Sequence, residues 1–270
     1  MQKPRYLPDV DRLSVLAAMI LLAYALSRFL NLPARDLAVQ LPGIFISFQI
    51  NIRTIVALLV AGLTASGADW LIRDHPKLQG KGTLQHWLLP ALTAWVIGIP
   101  LFQLPPGFTW WGVFTVGGIL LMLVLVAEYI VVDPEDVRHQ PAAAGLTAVS
   151  FALFLILAIV LRSAGMRLYL VLPALALAIA MISLRTLYLR LHGSWKLVEA
   201  GVIVLVVAQV VAALHYWPLS PIAFGLAVLG PAYALTSLVS SLSEGQSLRR
   251  AVLEPGIVLL FAWGAAVWLQ

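Results

Sequence analysis

Apolar runs of about the same length follow one another along the whole chain, divided by short segments that hold most of its prolines, glycines and charges. The first begins beside Asp9 and Asp11, either of which suits an N-cap, and predicts helix 1 from Asp11 to Leu30. From Leu37 to Ile50 the pattern changes to alternation around Pro42-Gly43. If Leu41 pairs with Ile44, then Val39 meets Ile46 and Leu37 meets Phe48 on one apolar face, with Gln40, Ser47 and Gln49 on the other. That spacing predicts a β-hairpin lying on a membrane surface; the alternative is an irregular interfacial segment, because the type II turn that Pro-Gly prefers suits a two-residue hairpin poorly and loosens the register.

Asn51 then caps helix 2, an unbroken apolar run to about Arg73 that carries Arg53 in its first turn. Thr83 opens helix 3, to about Phe102, with Pro90 and Pro100 inside or ending it. Helix 4 runs from Phe108 to Val132 and stops before Pro134. Helix 5 spans Ala142 to Leu161, and its opening Ala142-Ala143-Ala144-Gly145 predicts a close neighbour. Helix 6 covers Met166 to Leu191 with Pro173 inside, and helix 7 covers Trp195 to Trp217. Helix 8 starts with Ser220 as N-cap and Pro221 at N1, and Gly230-Pro231 predicts a kink in it. Its second half holds Thr236, Ser237, Ser240, Ser241 and Ser243, suited to bond back to the freed carbonyls or to line a polar cavity. Helix 9 starts between Arg250 and Pro255 and ends at Trp268.

Composition turns these helices into membrane spans. Of 270 residues, 61% are hydrophobic and 11% charged, with mean hydropathy +0.96, whereas a soluble domain carries roughly 25% charged residues. A bilayer core of about 30 Å takes about 20 helical residues per crossing. The prediction is an all-α bundle of about nine transmembrane helices in a single domain, residues 1–270, with the hairpin between helices 1 and 2. No cysteine is present, which removes disulfides, thiolate metal sites and cysteine nucleophiles.

Charge orients the bundle. With the N-terminus inside, twelve of the 17 Lys and Arg residues fall on inner segments, the bias of the positive-inside rule. The expected orientation is N-in/C-out, in a cell (inner) membrane. The excess of +5 reads as topology, not as a nucleic-acid footprint. Tryptophan gives the same frame: Trp70, Trp87 and Trp195 fall at the inner interface, Trp110, Trp111, Trp217 and Trp268 at the outer one, and Trp95 and Trp263 lie deep. Lys3 and Arg5 before Leu13–Leu22, with Ala23-Tyr24-Ala25 after it, resemble a signal peptide, but Asp9 and Asp11 are foreign to such a segment, so helix 1 is expected to be retained.

On this topology the ionisable residues near membrane depth gather at the cytoplasmic side: Asp69, Arg73, His86, Glu128, Arg185, Glu199 and Glu254. Charges there are costly and are commonly paired or functional, so a polar vestibule bounded by them is the candidate site. Glu199 and Glu254 also suit helix N-termini electrostatically. Asp69 is unfavourable at a helix C-terminus, and its expected partners are Arg73, Arg185 or His86. Asp133-Pro134-Glu135-Asp136 with His139 offers oxygen and imidazole ligands, but only as loop residues more often simply solvated, and no metal is assigned. There is no G-x-S-x-G, no H-E-x-x-H and no glycine-rich phosphate loop, and no catalytic residue or cofactor is assigned.

The run Gly67-Ala68-Asp69-Trp70-Leu71-Ile72-Arg73-Asp74-His75-Pro76, after the hairpin-like segment, resembles a family of uncharacterised bacterial multi-pass membrane proteins, a domain of unknown function. The resemblance implies a polytopic bacterial membrane protein and no activity. Short loops and small-residue surfaces fit a non-catalytic subunit or scaffold that interacts with lipid, with other membrane subunits or with copies of itself. Proline in helices 3, 6 and 8 fits a transporter or flippase of an amphiphilic molecule. The cytoplasmic-side carboxylates and His86 fit an enzyme acting on a lipid or isoprenoid headgroup.

Overall fold

The computed structural model describes residues 7–27, 35–41, 44–50, 52–78, 82–191 and 193–270, with backbone alone over 27–54. The turn expected at Pro42-Gly43, the cap expected at Asn51, and Lys3, Arg5, Arg28, Lys81 and His192 lie outside the described residues, as does the side chain of Arg53.

Nine α-helices appear among the described residues: α1 (Val10–Ser27), α2 (Ile52–Arg73), α3 (Leu88–Gln103), α4 (Phe108–Val131), α5 (His139–Ser163), α6 (Leu168–Arg190), α7 (Leu197–His215), α8 (Pro221–Ser243) and α9 (Leu248–Trp268). A 3-10 turn, Leu84–His86, leads into α3. Eight of the helices, α2 to α9, are long and apolar enough to cross a membrane, which makes the chain a multi-pass membrane protein. α1 is not among the eight; it has 18 residues and carries Asp11 in its first turn. Between α1 and α2, β1 (Arg35–Leu41) and β2 (Ile44–Ile50) pair antiparallel, with Leu41 opposite Ile44, Val39 opposite Ile46 and Leu37 opposite Phe48.

Local chemistry explains several helix starts and stops. Asp9 Oδ1 accepts from the Asp11 amide at 2.9 Å, so Asp9 is the cap of α1. Ser220 Oγ accepts from the Ala223 amide at 3.2 Å, with Pro221 at the first helical position. Gly165, with φ 61°, closes α5: its amide bonds Arg162 O and the Met166 amide bonds Leu161 O, a pairing that needs a left-handed residue. Thr83 departs from expectation. It makes no side-chain cap, its backbone lying in the helical region at φ -107° and ψ -5° rather than in the extended one a cap uses, and its hydroxyl donates to Asp69.

The main core is built by α3 to α8, with Leu92, Val124, Phe154, Ile179, Val207 and Phe224 meeting in it. A second core joins α1 to α4 through Leu16, Ile20, Leu71, Ile97 and Leu125. Small residues set the closest approaches. A Cβ on Gly67 would stand 2.0 Å from Leu16 Cδ1, and one on Gly117 would stand 2.6 Å from Ile97 Cγ2. Of the run Ala142–Gly145 expected to meet a tight neighbour, Ala142 and Ala143 are half-buried against the main core, whereas Gly145 is exposed and a Cβ on it would meet nothing within 4 Å among the described residues. The close contact of α5 lies at its other end, where Ile159 and Leu155 press on Gly225 of α8.

Prolines sit inside α3, α6 and α8 without dividing them. Pro231 has no N–H for the carbonyl of Ala227 one turn earlier. Trp263 of α9 supplies the donor, with Nε1 at 3.1 Å from that oxygen. Thr236, expected to serve such a carbonyl, instead bonds Ala232 O at 2.8 Å.

The two ends of the bundle are tied separately. At one, Arg12 of α1 pairs with Asp74 after α2 and stacks over Trp70 at 4.9 Å, and Lys77 reaches Glu135 at 3.6 Å. At the other, Arg162 of α5 donates to His215 O at 2.6 Å and Trp217 O at 2.8 Å, satisfying carbonyls at the end of α7. The first is the Glu128 end of the bundle and the second its Arg162 end.

Candidate functional site

Glu128 lies in the last turn of α4, and its side chain is wholly buried. A carboxylate at that depth needs partners, and two other helical segments bring them. Arg185, near the end of α6 and 2% exposed, approaches side-on: Nε donates to Glu128 Oε1 at 2.9 Å and Nη2 donates to Oε2. His86, at the end of the 3-10 turn, brings Nδ1 to 2.7 Å from the same Oε2. An ionised carboxylate only accepts, so Nδ1 carries the hydrogen that His86 donates to Glu128. Both Glu128 oxygens are thus held, one of them twice. Arg185 uses one edge of its guanidinium, and Nη1 on the opposite side is buried with no partner among the described residues.

A second group stands beside this one. Asp69, in the last turn of α2 with a side chain only 15% exposed, pairs with Arg73 at 2.8 Å and accepts the Thr83 hydroxyl. Asp69 does turn inward and does take a donor from beyond its own helix, but the donor is Thr83. Arg185 and His86, its expected alternatives, are both committed to Glu128.

The segment after α2 folds over the cluster. His75 packs edge-on against Tyr129 at 4.6 Å between ring centres, and its Nδ1 accepts the Lys77 amide at 3.1 Å. Burial holds the His75 imidazole below its ordinary pKa, against the opposing pull of Asp133 and Asp136. Asp136 is itself bound by Arg138, Nη2 to Oδ2 at 2.7 Å, and this bond raises the pKa of the guanidinium. Among the described residues no group of three His, Asp or Glu side chains converges as metal ligands would.

The seven residues read from the sequence therefore separate. His86, Glu128 and Arg185 share one network, and Asp69 with Arg73 forms a second next to it. Glu199 pairs with Lys196 at 3.3 Å on the exposed start of α7. Glu254 accepts from the Tyr233 hydroxyl at 2.8 Å on the α8–α9 surface. Sequence reasoning gave Thr83 only as the start of helix 3 and Trp263 only as a deep tryptophan, and did not single out Tyr233 or the capping role of Arg162. The proline at 231 was a usable signal for Trp263, since its missing N–H leaves a carbonyl that some donor must satisfy.

No curated protein and no solved structure matches the chain. A family model described as "Protein of unknown function (DUF5656)" matches residues 32–269, from the residues before β1 through the last turn of α9. That span includes both networks at the Glu128 end, and the chain belongs to this family of proteins of unknown function.

Proposed function

We propose that the chain is a non-catalytic subunit or scaffold of a membrane complex, in a bacterial inner membrane, oriented N-in/C-out with the Glu128 end in the cytoplasm. The observation that carries this reading is the closure of the candidate carboxylates within the chain: Glu128 by Arg185 and His86, Asp69 by Arg73 and Thr83, Glu199 by Lys196, Glu254 by Tyr233. A general base or metal ligand needs an oxygen presented to a substrate or ion; the oxygens of Glu128 and Asp69 face partners that tie segments of the bundle together, and Glu199 and Glu254 each give one oxygen to a neighbouring side chain at the surface. Among the described residues α7 and α9 are the most peripheral spans, with 22% of each buried, and a Cβ on Gly201, Gly256 or Gly264 would meet nothing described within 4 Å. Small residues on an open face let another helix approach closely. In this frame the β1–β2 hairpin lies on the outer membrane surface and α1 serves as a further span.

The test is mass after mild detergent extraction. A species above one 29.3 kDa chain supports the reading, and a monomer without partners overturns it. For the orientation, a reporter active only outside should work when fused after Gln270, and one active only inside should work between Arg73 and Thr83.

One observation favours a second reading, action on a lipid or isoprenoid headgroup: the buried Nη1 of Arg185 has two unused donors of the kind a phosphate oxygen accepts. A phospholipid retained by the purified protein and released by Arg185→Met would support it; identical retention by both would exclude it.

A further inference from the structure

The exposed face of α9 has a regular spacing. Leu253, Ile257, Leu260, Gly264 and Val267 follow one another at intervals of four and three, the repeat of a left-handed two-helix seam. The four large residues of the series are 60%, 66%, 73% and 69% exposed, and a Cβ on Gly264 would meet nothing within 4 Å among the described residues. The face that packs on α8 is a different one, through Ala251, Pro255, Ala262 and Ala266.

Apolar exposure alone would suit lipid tails as well as a helix. The charges beside the seam distinguish the two. With Leu253, Leu260 and Val267 at the d positions of a heptad, Arg249 falls at g and Glu254 at the following e. In a parallel pair, a g residue faces the e residue five positions on in the partner helix, so Arg249 of each copy would meet Glu254 of the other. Arg249 is exposed and has no ion pair among the described residues. Glu254 gives one oxygen to Tyr233 and keeps Oε2 for another donor. Two copies inserted with the same topology present α9 in parallel, as a twofold axis along the membrane normal requires. α7 is as peripheral, but its charges Lys196 and Glu199 are paired with each other.

We propose that a second copy of this chain docks along α9, forming a parallel seam closed by two reciprocal Arg249–Glu254 ion pairs. This rests on the reading of the chain as a subunit and names its partner. The apolar positions supply the contact, and Gly264 lets the helices approach near the Arg162 end. The charge pairs fix register and reject an antiparallel or shifted pairing.

The chain has no cysteine, so single cysteines report the seam without background. In membranes containing the full chain, mild oxidation should cross-link Leu253→Cys and Leu260→Cys, while Val252→Cys, exposed but turned from the seam, should lag well behind. In detergent, Arg249→Glu or Glu254→Arg alone should weaken the dimer by roughly tenfold, the effect of losing two such pairs together, and the double exchange should restore it. A monomeric mass overturns both this inference and the subunit reading. A mass above one chain, with Leu253→Cys and Leu260→Cys no faster than Val252→Cys, overturns the α9 seam alone.

Discussion

The indole Nε1 of Trp263 stands 3.1 Å from the carbonyl oxygen of Ala227, the acceptor that Pro231 leaves without its helical donor. The same ring meets the position where a Cβ on Gly230 would sit, at 3.4 Å, so the proline, the glycine and the tryptophan form one joint between α8 and α9. An unpaired carbonyl away from water costs about 1–3 kcal/mol. Trp263→Phe keeps the ring and removes the donor, and it should lower the melting temperature in detergent accordingly. With Pro231→Ala, which returns an N–H to the ladder, the loss should shrink. Additive effects of the two substitutions would show that the indole serves some other purpose.

The network around Glu128 makes a second double-mutant cycle informative. Removing one partner of a buried pair typically costs about 3–5 kcal/mol, because the other charge is left unpaired, whereas replacing both by apolar groups is often near neutral. Glu128→Leu and Arg185→Leu should each reduce thermal stability strongly, and the double variant should recover much of the loss. His86→Phe should cost less than either, since Glu128 keeps both bonds from Arg185. A double variant as unstable as the sum of the singles would mean that the pair is not a mutual compensation.

How much of this was readable beforehand follows from what each pattern encodes. Alternation specifies which strand residues share a face, so the pairing of Leu41 with Ile44 could be read from the chain and recurs in β1 and β2. Capping is local, so Asp9 and Ser220 were readable. Depth was readable too: Glu128, Arg185 and His86 were expected at one level because each lies a similar distance from the end of its apolar run. Rotation was not. An apolar helix surrounded by lipid on one side and protein on the other shows almost no contrast between its faces, so nothing in α6 distinguished Arg185 facing Glu128 from Arg185 facing Asp69. The same lack of contrast hid the separation of Glu199 and Glu254 from the other five. Gly145 misled for a related reason, since a small residue permits close packing without requiring it.

The buried neutral His75 should make stability depend on pH. Burial lowers its pKa in the folded chain below the ordinary 6.5, so unfolded chains bind the proton more tightly. The contribution is therefore complete above the unfolded value and is lost as pH falls through the folded one. Protonation would also convert Nδ1, which accepts the Lys77 amide, into a donor. The melting temperature should fall as pH is lowered from about 7 to about 5, and His75→Gln should flatten that dependence. An unchanged slope in the variant would assign the pH effect to other groups.

The contrast between Asp69 and Asp74 tests how far the Glu128 end depends on inward-facing charge. The two lie little more than a turn apart at the end of α2, and both are ion-paired, Asp69 with Arg73 and Asp74 with Arg12. Their surroundings differ. The Asp74 side chain is 51% exposed and its pair is screened by solvent, a situation worth about 0–1 kcal/mol. Asp69 is 15% exposed, and it joins α2 to the segment that carries His86 through the Thr83 hydroxyl. Asp69→Ala would leave that hydroxyl without its acceptor and loosen the turn that positions His86 on Glu128. Asp69→Ala should therefore lower the detergent melting temperature clearly, Thr83→Val should reproduce part of the loss, and Asp74→Ala should have little effect. Combining Asp69→Ala with Thr83→Val should add little to Asp69→Ala alone, because both cut the same link. Equal melting temperatures for Asp69→Ala and Asp74→Ala would show that Asp69 behaves as a surface residue and that His86 is held by other contacts.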